Sequence, residues 1–517
     1  MKLARSKNAV RNIRVGFIGK IIGMLCPFFV RTTFIHTLGM EYLGVNGLFT
    51  SVLSVLSLTE LGFGSAVVFS MYQAIADDDS ETINALLYFY RKIYRYVGCI
   101  ILGIGLLLIP CLPHLTLGSY PSDINPLIVY LVFLANTCLS YFLFAYLNSL
   151  LDAFQRTDIN TIVSMFMNVA MSAVQIVLLL TVRQYYAYLV VMPVFTVLGN
   201  IRTAVIAHRM FPQYKPSGKL APEVLASFKK IISGLMIQKL SAVSRNAFDS
   251  IFVSMFLGLT QTALYNNYFY IINSVAGFTT IVYSAVLAGA GNSVATETKE
   301  KNHRDMMKIN FAYMWVGGWF ACCLMSLFQP FMKLWAGTES VLPLSSAVLF
   351  SLYFFALRME DVLSIYVNAV GMWWHNRYRA LAEAITNIVL NYFLGKFFGV
   401  NGIIAATLIS LFFINFCYGS QLIYRFYFTE QKMSEYYIFH GICASVTAAI
   451  CAVTYFICRA VPETFIGFVV KICICAVVPN ALYFVIYRKT KMYHEAMPWI
   501  LERVGIQKES SIFKLLM

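Results

Sequence analysis

Charge is scarce in this chain. Of its 517 residues, 12% are Asp, Glu, Lys or Arg, about half the share found in soluble domains. Acidic residues are the scarcer kind, 24 against 39 basic. The seven histidines are dispersed and form no HExxH pair. Gly218-Lys219 lacks the GxxxxGK[ST] frame of a phosphate loop, and its flanks do not read as strand and helix. The twelve cysteines are scattered through apolar runs, with Cys322-Cys323 and Cys473-x-Cys475 as the close pairs and no CxxC. They read as small hydrophobes, with neither a metal site nor a disulfide framework indicated. Together these absences remove nucleotide hydrolysis and metal- or thiol-based catalysis, so the chain does not read as an enzyme.

What fills the space is apolar. Hydrophobic residues make up 59% of the chain and the mean hydropathy is +0.70, too much to bury in one core. Apolar stretches of roughly 20 residues recur from end to end, each long enough to cross about 30 Å of hydrocarbon. The start, "MKLARSKNAVRNIRVGFIGKIIGMLCPFF", is basic and then apolar, but it lacks a small-residue cleavage site and the apolar run continues past Phe34. It is expected to be a retained first membrane helix.

Hydropathy places spans at roughly 13–37, 43–72, 97–117, 124–152, 158–182, 186–208, 230–257, 262–294, 309–334, 344–372, 377–396, 400–425, 437–459 and 464–487. The fold class expected is an all-α membrane protein of about 14 transmembrane helices, with both termini on one side. If that side is cytoplasmic, the outer loops hold four basic residues: Arg183, Lys333, Lys396 and Arg459. Six more lie within spans (Lys20, Arg31, Lys239, Arg245, Arg358, Lys471), and every other Lys and Arg falls on the cytoplasmic side. That asymmetry is the positive-inside pattern. It also accounts for the net charge of +15 without nucleic acid, since such residues mark topology and attract anionic lipid headgroups.

The longest internal loop, "HRMFPQYKPSGKLAPEVLASFKK", follows the sixth span. The expected organisation is therefore an N-terminal lobe at 1–210 and a cytoplasmic linker at 211–229. A C-terminal lobe follows at 230–428, then two added helices at 429–487 and a cytoplasmic tail at 488–517: two six-helix lobes plus two helices. A weak internal echo agrees. "LGMEYLGVNGLFTSVLSV" and "LGLTQTALYNNYFYIINSV" both open with LG and carry an asparagine (Asn46, Asn266) at the head of the next span. Parallel repeats are a familiar transporter plan, with the substrate site between the halves. "IADDDSETINALLYFYRKIYRYVG" is amphipathic and is expected to form a short interfacial helix linking the second and third spans. The tetrapeptide GVNG occurs twice, at Gly44–Gly47 and Gly399–Gly402. Both copies are expected at tight outer turns, with asparagine as a helix cap.

An ionisable group at bilayer depth costs about 2.5–3.5 kcal/mol on insertion scales, so it tends to face a cavity or a partner. Arg31, near the outer end of the first span, either snorkels to the headgroups or binds an anion. Arg245 and Asp249 are four apart and share a helix face. Gln238, Ser241, Ser244 and Asn246 surround them, which favours a water-filled cavity over an internal pair. Arg358, Glu360 and Asp361 fall in mid-span as "FFALRMEDVLS", where consecutive residues cannot all point one way. They serve either a structural network or a ligand. Glu60, followed by Gly62 and Gly64, and Glu383 are either cation-coupling carboxylates or acceptors for neighbouring helices. Deep arginines without a catalytic dyad suggest a passive or ion-coupled transporter for an anion.

The stretch "LGMEYLGVNGLFTSVLSVLSLTELGFGSAVVFSMYQAIADDDSETINALLYFYRKIYRYVG" resembles the N-terminal signature of bacterial Wzx-type polysaccharide flippases. "FDSIFVSMFLGLTQTALYNNY" and "LAEAITNIVLNYFLGKFFGVNGIIAATLIS" are similar to later segments of the same proteins. These belong to the multidrug/oligosaccharidyl-lipid/polysaccharide exporter superfamily. The resemblance implies a two-lobed fold with a central cationic cavity and alternating access. Its substrate would be an undecaprenyl-diphosphate-linked oligosaccharide, flipped between leaflets of the bacterial cytoplasmic membrane for capsule or other surface polysaccharide. Arg31, Arg245 and Arg358 would hold the diphosphate, since guanidinium forks supply charge and paired hydrogen bonds. Asp249, Glu60, Glu360 and Asp361 would be ion-coupling or structural cavity charges. No cofactor is implied beyond a coupling H⁺ or Na⁺. Partners would be the lipid-linked substrate, membrane lipids, and a polysaccharide polymerase and glycosyltransferases. An ion-coupled multidrug exporter of the same superfamily and a non-transporting scaffold for glycan assembly are the alternatives.

Overall fold

The computed structural model describes residues 5–57, 63–118, 120–220, 243, 245–503, 510 and 513. Glu60, Gln238, Ser241 and Ser244 lie outside the described residues. Those described are almost wholly helical, with no strand among them. Each of the expected spans overlaps a helix. Among the described residues, eight helices are long and apolar enough to cross a membrane, or nine if one bent pair counts as a single span. The chain is a multi-pass membrane protein.

Contacts divide it into two compact units, Met1–Asn266 and Asn267–Met517. The first holds α1 (Arg5–Thr37), α2 (Met40–Leu56), α3 (Phe63–Ala76), α4 (Ser80–Leu107), α5 (Pro126–Phe142), α6 (Tyr146–Ala153), α7 (Thr157–Thr181) and α8 (Tyr185–Met210). The helical segment α9 (245–257) and the first turns of α10 (Leu259–Thr296) belong to the same unit. Here α1 packs on α7, α7 on α8, and α5 on both α4 and α8. The core is large and apolar, with Phe34, Phe49, Tyr130 and Leu151 fully enclosed.

The second unit continues α10 and adds α11 (Lys299–Ala336), α12 (Leu344–Val370) and α13 (Trp373–Ser410). A π-helical turn (Leu411–Tyr418) leads into α14 (Gly419–Phe426), followed by α15 (Met433–Arg459), α16 (Phe465–Tyr487) and α17 (Lys491–Arg503). Within it α11 is the hub, packing on α12, α15, α16 and α17. The short helix α17, which the sequence reading left as tail, buries Tyr493 and Ala496 beside Phe311, Ile450 and Tyr487.

Several helices break where hydropathy runs on unbroken. In the span expected at 43–72, α2 already ends at Leu56 with Ser57 as its C-cap. That at 124–152 bends by 48° between α5 and α6. The acidic-to-aromatic segment after α3 is not a separate linking helix. Asp79 caps α4, accepting from the Thr82 backbone N–H, and the segment runs straight on into a 28-residue helix. The Thr82 hydroxyl and N–H also hold the Asp79 carboxyl below the ordinary carboxylate range.

The GVNG copies differ from the expectation too. The first lies inside α2; the reversal comes earlier, at Gly39 (φ 95°). Gly399 of the second copy does break the chain, with φ 60° and ψ −138° inside α13. What the copies share is close packing. A Cβ on Gly44 would sit 2.0 Å from the Leu259 carbonyl oxygen, and one on Gly402 would sit 1.9 Å from that of Leu394. Each asparagine ties the start of another helix. The Tyr185 hydroxyl donates to Asn46 at 2.7 Å, and the Ser346 hydroxyl donates to Asn401 at 2.7 Å. Asn401 in turn donates to Ser345 at 2.8 Å.

Candidate functional site

In the first unit, Arg31 is half-buried on α1 and donates to the backbone carbonyl of Asn266 at 3.1 Å. Asp249 on α9 is buried and accepts from the Tyr265 hydroxyl at 3.0 Å. The Asn266 amide donates to Ser250 at 3.1 Å. Arg245 lies one turn before Asp249 on the same helix, half-buried, while Asn246 beside it is exposed. Of the described polar residues here, Asp249 and Ser250 are thus bonded to the first turns of α10.

The second unit contains a cavity of ≈ 440 Å³ walled by α10, α11, α12 and α17. Most of its wall is apolar, including Val282, Val286, Ile309, Ala312 and Val316. Its polar groups are few and include Thr279, Ser293, Asp305, Tyr313, Tyr366 and Arg358. A second recess of ≈ 470 Å³ adjoins it and shares Gly289, Ser293, Asp305 and Trp499. This recess adds Glu297, Lys301, Arg304 and Lys308, at the α10–α11 junction that the basic-residue asymmetry assigns to the cytoplasm. Lys301 pairs with Glu297 at 2.6 Å and Lys308 stands 3.7 Å from Asp305. Lys308 also lies 6.0 Å from the centre of the Trp499 ring. Gly317, beside Arg358, is nine residues beyond Lys308, so the charged mouth and the arginine are about 13 Å apart along α11.

Arg358 is only 7% exposed, and its place is made by a glycine. A Cβ on Gly317 would lie 2.7 Å from its Cγ. Its guanidinium stands 5.1 Å from the Phe354 ring centre. One terminal nitrogen, Nη1, both pairs with Asp361 at 2.7 Å and donates to the Thr279 hydroxyl. The Nε is buried and makes no hydrogen bond among the described residues. The neighbouring Tyr313 hydroxyl also makes none. A buried donor left unmade is costly, so these two groups stand out in the cavity wall.

Glu360 points elsewhere, as adjacent helix positions must. It accepts from Ser364 at 2.8 Å and pairs with Arg379 of α13 at 3.2 Å. Arg379 also donates to Asn376 at 2.6 Å and to the Asn415 side chain at 2.9 Å. Thus α12 carries two ion pairs. One lines the cavity and one locks α12 to α13 and the π-helical turn.

Sequence reasoning missed Arg379, counted there among the cytoplasmic basic residues. It also missed Thr279, Gly317, Tyr313 and Trp499. The spacing Arg358-x-x-Asp361 was a usable signal, since i and i+3 meet on a helix. Nothing local marks Thr279 as the partner. Glu383, also weighed from sequence, is buried on α13 among Asn387 and Asn391.

Searches against protein-family profiles and curated proteins give no match. Solved structures match well. The lipid II flippase MurJ, in an inward closed conformation, aligns with a TM-score of 0.68 at 14% identity, covering 93% of this chain and 99% of that one. An inward-facing multidrug resistance MATE family transporter of the MOP superfamily gives 0.59 at 14% identity, over 80% and 98%. A MOP superfamily transporter from Pyrococcus furiosus, described as having a binding pocket of reverse polarity, gives 0.51 at 14%, over 81% and 95%. The chain therefore has the fold of these transporters, which are not enzymes.

Proposed function

We propose that this chain is a flippase. It moves an undecaprenyl-diphosphate-linked oligosaccharide from the inner to the outer leaflet of a bacterial cytoplasmic membrane by alternating access, for capsular or other surface polysaccharide. The observation that carries the reading is Arg358: a buried guanidinium with an unused donor, in the wall of an apolar cavity with a charged mouth. A diphosphate needs fork donors where water is scarce, and a hydrocarbon chain needs apolar walls. Arg31 and Arg245 are proposed as further diphosphate ligands in the first unit. Glycosyltransferases would supply the substrate and a polymerase would consume it. Cells lacking this protein should accumulate lipid-linked repeat units on the inner leaflet. Normal surface polysaccharide in such cells, with no paralogue present, would refute the proposal.

A second reading, an ion-coupled multidrug exporter, is favoured by the carboxylates Asp305 and Asp361 near an otherwise apolar cavity, a chemistry that suits cationic drugs. Raised drug resistance on overexpression would support it. Unchanged resistance with defective polysaccharide would favour the flippase.

A further inference from the structure

Arg358 already has an anion: Asp361, on its own helix, 2.7 Å from Nη1. A phosphate that takes the Nη1–Nη2 edge of the guanidinium must therefore compete with that carboxylate. We propose that anion binding at Arg358 displaces Asp361 and that the displaced carboxyl picks up a proton, so that one proton is taken up for each ligand bound. The inference rests on the flippase reading of Arg358 and deepens it by naming the coupling partner.

The surroundings decide the outcome. Once Arg358 turns to a ligand, Asp361 faces no other cation among the described residues of its unit. Its own helix offers Glu360, which is negative and held by Arg379 of α13. From α10 it faces Tyr283, whose hydroxyl accepts from Asn368 at 2.9 Å. From α11 it faces Tyr313. None of these can neutralise a carboxylate. An unpaired buried charge is several kcal/mol less stable than a paired one, whereas the neutral acid keeps a donor and an acceptor that two tyrosine hydroxyls can meet. The proton comes from water through the recess at the α10–α11 junction. Release reverses the exchange: the phosphate leaves, Asp361 loses its proton and the ion pair closes. Arg358 thus never stands unpaired, and phosphate and proton travel together.

The test uses the full-length protein in detergent, with farnesyl diphosphate as a short prenyl-diphosphate probe. Calorimetric titrations in buffers of different ionisation enthalpy give the protons exchanged per probe bound. Wild type should take up about one proton more than Asp361→Asn, because the variant has no carboxylate to protonate. Between about pH 7.5 and 9, where the probe stays fully ionised, wild-type affinity should fall about tenfold for each pH unit. This second readout needs no variant, so it stands even if Asp361→Asn does not fold. Equal proton uptake in both proteins, or a wild-type affinity flat across that range, would overturn the exchange while leaving Arg358 as a ligand. An Arg358→Ala variant that binds the probe as wild type does would overturn the flippase reading and the exchange with it.

Discussion

Two buried arginines, Arg358 and Arg379, illustrate how little a residue type says without its partners. Arg379 spends its donors on Glu360, Asn376 and Asn415, all of them protein groups, and is proposed to be structural. Arg358 keeps a buried Nε without an acceptor. Removing one member of a buried pair costs about 3–5 kcal/mol, so Arg379→Ala should lower the unfolding temperature clearly. Probe affinity per folded molecule should hardly change. Arg358→Ala should instead weaken probe binding about tenfold or more, the loss of a charge-assisted bond worth about 1.5–3 kcal/mol. Gly317 provides an independent check. Gly317→Ala forces a Cβ to within 2.7 Å of Arg358 Cγ, so it should impair probe binding without touching any charge. Probe titration and thermal unfolding of the three variants distinguish these outcomes.

At the scale of elements, the helix breaks are where sequence reasoning was weakest. Hydropathy sums side chains and does not register a backbone that bends between equally apolar residues, as at Phe142–Tyr146 or Gly399. The amphipathic segment after α3 read as a linker because its charges suggested an interface; one N-cap, Asp79, instead launches it as α4. The repeated GVNG looked like turn chemistry, and in one copy the glycine does break the helix. Its common role is packing, with two glycines closing helix approaches and an asparagine fastening a neighbour. Gly402→Ala places a Cβ 1.9 Å from the Leu394 oxygen and should destabilise by about 1–3 kcal/mol. Asn401→Ala, which loses hydrogen bonds to Ser345 and Ser346, should cost about 1 kcal/mol. Unfolding measurements should therefore rank Gly402→Ala below Asn401→Ala in stability; the reverse order would contradict the packing role.

For the whole molecule, the membrane class and the all-helical transporter fold were legible in the sequence. The membrane class depends on a quantity that adds along the chain, apolar length, and the transporter fold was what the family resemblance implied. The site was legible only in part. Arg358 and Asp361 stood out as charges at bilayer depth. Which of Glu360 and Asp361 would pair with Arg358, the cavity itself, and the packing of α17 beside it all arise from residues far apart in sequence. Thr279 is 79 positions from Arg358. The basic-residue asymmetry makes its own prediction. Single cysteines in a cysteine-free background at Lys219 and Lys432 should react with impermeant maleimide only in opened cells, and those at Arg183 and Lys396 in intact cells. The opposite labelling would invert the topology and place the charged recess outside.

The central claim is that Arg358 handles the phosphate of a lipid-linked saccharide on its way across the membrane. The most direct measurement is the fraction of lipid-linked repeat units that an impermeant periodate reagent oxidises in intact cells. It should be made in a deletion strain carrying wild type or Arg358→Ala at equal membrane abundance. The account predicts that the accessible fraction falls about tenfold or more in the variant while the protected pool grows. Equal accessibility in the two strains would contradict it.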